Sequence, residues 1–221
     1  MQNKRSLIFL TSFLLIGSTF CQSNTKIGRV KYSGGGDWYS SKTALKNLST
    51  FCNIHLKTNI DTQEEIVDVG STDIFYYPFL FLTGHGNIIF SEAEALNLRE
   101  YLIGGGFLHI CDNYGLDPYI RREMKKVFPE LSFQLVPLNH SVYNKEFKFP
   151  QGLIKIHEHD AKPPLGFGLF WDGKLVCFYD YECDLGNGWE DAEVYNDSPE
   201  KRRKALEMGA NLISYAFRGE N

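Results

Sequence analysis

Cysteine is sparse here, and no CxxC or CxxxC pair occurs, which leaves no thiolate pattern for structural zinc. A charge excess of one sign is also missing. Lysine and arginine number 23 against 27 acidic residues, a net charge of −4, so the chain carries no electrostatic footprint for nucleic acid. No apolar run reaches the ~20 residues that a bilayer-spanning helix needs. Repeats, low-complexity tracts and linkers are absent, so one domain is expected. What is present is ordinary globular composition, 43% hydrophobic and 14% aromatic over 221 residues. That excludes collagen-like, coiled-coil and disordered classes and supplies enough core to need no staple.

The first residues differ from the rest. Lys4 and Arg5 precede the 14-residue apolar run Leu7 to Phe20, and small polar residues follow. This is the layout of a secretory signal over residues 1–23, with residues 24–221 as the mature domain, exported to the periplasm or envelope. An uncleaved anchor is the alternative. Cys21 stands where a lipobox cysteine would, although Phe20 is bulkier than a lipobox favours, so membrane attachment through a Cys21 lipid ranks second to cleavage. Removing the signal leaves 21 basic and 27 acidic residues, a net −6. In an oxidising compartment Cys177 and Cys183 could close a short loop; buried free thiols are the plainer expectation.

Strand–helix alternation dominates the mature chain. Strands are expected over Lys26–Tyr32, Ile66–Val69, Phe75–Thr83, Phe107–Cys111, Phe133–Val136, Gly152–His157 and a hairpin through Asp172-Gly173. Ser41 is expected to cap the first helix. Ser91 to Glu94 forms a capping box for a second, which stops at Gly104-Gly105-Gly106. Asp117-Pro118 and Ser198-Pro199 open two more. The pattern predicts an α/β fold of three layers, a doubly wound and mainly parallel sheet. Ligands in such sheets bind outside the carboxyl ends of the strands.

The candidate residues lie on loops at that edge. Gly35, Gly36, Asp37 and Trp38 follow the first strand and could cradle an anion with backbone N–H groups, although no Walker lysine follows. His85, between two glycines, suits a polarising or ligating imidazole. Cys111 sits where a nucleophile would, but Asp112 opposes a thiolate and G-x-S-x-G spacing is not met. Asn113, Tyr114, Glu190 and Asp191 complete a polar, aromatic rim suited to a sugar or peptide. His157 and His159 would share one face of a strand and could hold a divalent metal with a carboxylate from Asp112, Glu190 or Asp191. His157, Glu158 and Asp112 are the candidate acid–base groups.

Six phrases carry a family resemblance: Arg29 to Tyr39, Tyr77 to Gly86, Gly105 to Gly115, Arg121 to Lys125, Lys155 to Asp160 and Gly188 to Asp191. In this order they closely resemble the domain-of-unknown-function family 4159, an exported or membrane-associated bacterial family. The resemblance implies a fold similar to class I glutamine amidotransferases, that is, flavodoxin-like, without implying their activity. No Gly-x-Cys-x-Gly elbow and no late His–Glu partner are present. The expectation is a binding module for a polar or anionic small ligand or cell-envelope component. A metal-assisted hydrolase around His157 and His159 is the first alternative, and a structural subunit of a membrane-associated assembly the second.

Overall fold

The computed structural model describes residues 24–219, so the expected signal segment and Cys21 lie outside the described residues. Seven strands form one mixed sheet: β1 (Gly28–Lys31), β2 (Glu65–Asp68), β3 (Phe79–Gly84), β4 (Phe107–Asp112), β5 (Gln134–Leu135), β6 (Leu165–Trp171) and β7 (Lys174–Tyr181). Their order across the sheet is β2-β1-β3-β4-β7-β6-β5. Pairings through β4–β7 are parallel, and the β7–β6 and β6–β5 pairs are antiparallel. Six helices accompany them: α1 (Ala44–His55), α2 (Glu92–Ile103), α3 (Asp117–Val127), the single turns α4 (Leu185–Gly188) and α5 (Ala192–Tyr195), and α6 (Pro199–Arg218).

Alternation along the central strands builds two cores. In β3, Phe79 and Phe81 face α1 and α6, while Leu80 and Leu82 face α2 and α3. Every residue of β3 and β4 is buried, as expected for parallel strands covered on both faces. After β1 the chain winds outward to β2, then returns past β1 to β3 and continues the other way. The chain therefore leaves β1 and β3 in opposite directions at a topological switch point, the edge at which ligands of such sheets bind.

Local signals account for most boundaries. The Ser91–Glu94 capping box forms, and Ser198 accepts the Lys201 N–H at the start of α6. Asp172 and Gly173 adopt φ of 49° and 77°, the paired left-handed turn that joins β6 to β7. Several expectations need correction. The run Phe75–Thr83 is not one strand, because Pro78 offers no ladder donor; a short helix over Thr72–Tyr76 precedes β3. Gly152–His157 is no strand, and the Phe133–Val136 strand shrinks to two residues. Ser41 does not cap α1, and Asp117 makes no cap bond to α3. Cys52, Cys111, Cys177 and Cys183 are free and buried, so Cys177 and Cys183 close no loop. Among the described residues, no helix is long and apolar enough to cross a membrane.

Candidate functional site

At the switch point the loop after β1 lies against the loop after β3. Asp37 accepts the His85 backbone N–H and its Oδ2 lies 3.0 Å from His85 Nδ1. Gly36 donates its N–H to the Asn87 carbonyl at 2.9 Å. A Cβ on Gly36 would lie 2.8 Å from the carbonyl oxygens of both Asn87 and His85, so glycine there permits the loops to touch. The Gly36 donor is consequently spent, and the expected anion cradle does not form with it; Gly35 faces solvent. Below this loop, Arg29 of β1 is 1% exposed. Its guanidinium holds the Glu64 carboxylate and the carbonyls of Trp38, Ser40 and Ser41. Trp38 is thus fixed through its backbone, and Ser41 is pinned at φ 56°.

The second cluster gathers around Asp184, which follows β7. His159 Nε2 lies 2.5 Å from Asp184 Oδ2, and His157 Nδ1 lies 3.6 Å from the same oxygen. His157 Nε2 meets Asp197 Oδ2 at 3.0 Å. With a carboxylate at each ring nitrogen, led by the Asp184 hydrogen bond, the His157 pKa rises above the ordinary histidine value. The two carboxylates thus favour the protonated form of His157. Asp184 is fully buried in a left-handed conformation, and its Oδ1 has no partner among the described residues. The Tyr114 ring stacks on His159 at 4.8 Å, and Tyr195 meets His157 edge-on at 4.5 Å. Glu158 points away to Lys155, 3.3 Å distant, and does not join the histidines.

Between these clusters lies the end of β4. The Cys111 thiol is buried, accepts the Gly186 N–H at 3.1 Å and lies 3.6 Å from Asn113 Oδ1. Burial first, then the Asp180 and Asp184 carboxylates, push its pKa well up, so it stays a thiol. Asn113 donates to Ser40 Oγ at 3.0 Å, and Ser41 donates to Asn187, whose amide lies 3.3 Å from His157. This chain of polar groups links the loop after β1 to His157. Asp112 is consumed elsewhere. It accepts the N–H groups of Tyr114 and Leu116 and the Tyr179 hydroxyl, and burial raises its pKa. It is buried and held by three donors rather than placed free on the rim. Asp180 accepts from Asp112 N–H and Leu185 N–H and lies 3.1 Å from His109.

Glu190 and Asp191 also turn inward. Glu190 accepts the N–H and hydroxyl of Thr43, and Asp191 accepts from Asn47 at 2.8 Å. They clamp the start of α1, as a helix N-terminus favours acid, and are not free for a ligand. The sequence reading missed Arg29, Asp184, Asn187 and Asp197. A signal existed for one: the acid-rich run Asp180-Tyr-Glu-Cys-Asp184 ends the most apolar late strand.

The expected metal site does not fit these residues. Among the described residues no group of three or more His, Cys, Asp or Glu is arranged to hold a metal ion. The carboxylates that reach His157 and His159 are Asp184 and Asp197, and they already occupy the histidine nitrogens. Asp112, Glu190 and Asp191, expected to complete the set, are engaged as described. What remains open to solvent is a rim of rings, Tyr39 at 57%, Tyr114 at 50% and Tyr195 at 42% exposed, beside the Asp37–His85 pair. The sequence profile described as "Domain of unknown function (DUF4159)" matches residues 26–217. Comparison with curated proteins finds no match.

Proposed function

The chain belongs to the DUF4159 family, and from that premise we propose an exported, envelope-attached binding domain. Its fold is class I glutamine amidotransferase-like, a flavodoxin-like sheet, and it lacks glutaminase activity. The ligand is a small, polar, hydroxyl-bearing molecule, a saccharide or muropeptide of the envelope, seated at the carboxyl edge of the sheet. One observation carries this reading. The thiol at the nucleophile position, Cys111, is closed under Gly186 and partnered by an amide instead of an imidazole, so it is not a nucleophile. The open surface beside it consists of tyrosine faces, which stack on sugar rings, next to polar groups.

N-acetylglucosamine oligomers and muropeptides are the probes, read by thermal shift. Stabilisation is expected in the wild type and its loss in the Tyr114→Ala, Tyr195→Ala double variant. Ammonia release from glutamine should stay at background in the wild type. Release that disappears in Cys111→Ser would overturn the reading.

A second reading rests on the 2.5 Å contact between Asp184 and His159. A buried carboxylate that orients an imidazole is the pairing of a general base, here activating water for hydrolysis. Turnover of chromogenic esters or phosphodiesters, abolished by His159→Ala, would favour it over simple binding.

A further inference from the structure

The opposite edge of the sheet carries a different surface. The Thr72–Tyr76 helix leads into β3 and Ile103 ends α2 just before β4, so both lie where the parallel strands begin. There Tyr76 is 78% exposed, and Phe75 and Ile103 are exposed as well. Phe75 packs edge-on against Tyr101 at 6.2 Å, and Tyr101 bonds the Tyr77 carbonyl, so the Thr72–Tyr76 helix is fixed to α2, which ends at Ile103. Large apolar and aromatic side chains grouped in solvent call for a partner.

The chain itself indicates which. β1 starts at Gly28 on this same edge, and a Cβ on Gly28 would lie 3.1 Å from the Tyr77 ring. The incoming segment thus runs directly beside the patch. Seven residues upstream is Cys21, at the end of the apolar run Leu7–Phe20; seven extended residues reach at most ~25 Å. An anchor formed by that run or by a lipid on Cys21 would lie within that reach of this edge. Tyrosine is enriched at the lipid–water interface, and phenylalanine is among the residues that bury on the apolar face of interfacial helices. A cleft of about 560 Å³ on the same edge, beside Gly105 and Phe107, is lined by Lys174, Asp172 and Arg218, the last paired with Glu146 at 2.8 Å.

We propose that the patch of Phe75, Tyr76 and Ile103 is a bilayer-docking surface that rests on the lipid interface next to the N-terminal tether. The inference rests on the envelope-attached reading above, extends it by naming the face, and turns the carboxyl edge of the sheet outward.

The test uses the full chain reconstituted with vesicles of phosphatidylethanolamine and phosphatidylglycerol. Photoreactive benzoylphenylalanine replaces Tyr76, Ile103 or, on the opposite edge, Tyr39. Lipid adducts at positions 76 and 103, and at most a tenth as many at 39, are expected. If the chain floats with the vesicles but position 76 gives no lipid adduct, the docking face is wrong and the tether stands. If the chain does not associate with vesicles, the tether and the docking face both fall. An adduct at 76 joining two copies of the chain would overturn the bilayer as the occupant. Tyr76→Asp should lower vesicle association of the tethered chain roughly tenfold, the loss of about one buried ring; unchanged association would count against the patch.

Discussion

His157 is held between two acids, and that placement fixes how stability responds to pH. Its folded pKa is raised above the unfolded value near 6.5, chiefly by Asp184 and then by Asp197. A raised histidine pKa contributes stability that is complete below the unfolded value and is lost as pH rises through the folded one. The urea midpoint of the wild type is therefore expected to fall as pH climbs from 6.5 through the range where His157 gives up its proton. His157→Gln, which keeps an amide but not the charge, should flatten that limb; an unchanged slope would show that the imidazolium is not held. The same arrangement explains why this residue resembles a metal ligand in the sequence. A histidine beside glutamate, histidine and aspartate in sequence has the composition of a metal site. Its actual partners, Asp184 and Asp197, stand 27 and 40 residues away, beyond the reach of any local spacing.

At the scale of elements, short-range chemistry set most of the architecture. The turn between β6 and β7 needs left-handed backbone at both central residues, and Gly173 meets this at φ 77° with open space around its Cα. Gly173→Ala should cost about 1 kcal/mol through backbone strain alone, since nothing nearby would clash. Paired urea curves at one pH measure it, and a cost near zero would mean that the hairpin relaxes. This turn, the Ser91–Glu94 box and the Ser198-Pro199 start of α6 were all legible, because each motif closes within four residues. The two-sided burial of β3 and β4 was equally legible from unbroken apolar runs. The segment before His157 was not. Its apolar residues imitate a strand, yet the backbone bond from Ile156 to Cys183 is an isolated one and no ladder forms. The candidate edge was legible as a place, through strand polarity, while the roles on it were not: Glu190 and Asp191, expected on a ligand-binding rim, clamp the start of α1, and Arg29, which no local pattern singles out, is buried beneath the loop after β1.

Across the whole molecule, the loop after β1 and the segment after β7 are fastened to each other by side chains. Ser41 meets Asn187, Thr43 meets Glu190 and Asn47 meets Asp191. Glu190 is 3% exposed, so its removal leaves the Thr43 donors without a partner. Glu190→Ala is expected to destabilise the fold by about 1–3 kcal/mol. It should also speed proteolytic nicking of the loop between β1 and α1 under native conditions, with Glu190→Gln intermediate in both measurements. Equal nicking rates would mean that the loop is held by Arg29 alone. These clamps span 144 to 147 residues of sequence, and that span also orders events in time. Contacts so distant along the chain form late, after the loops they close have paid their entropy. During synthesis the start of the first helix must wait, without its partner, until Glu190 has been made. A chain stalled or cut short of Glu190 lacks the clamp on the loop between β1 and α1, so the carboxyl edge is completed only after every strand of the sheet exists.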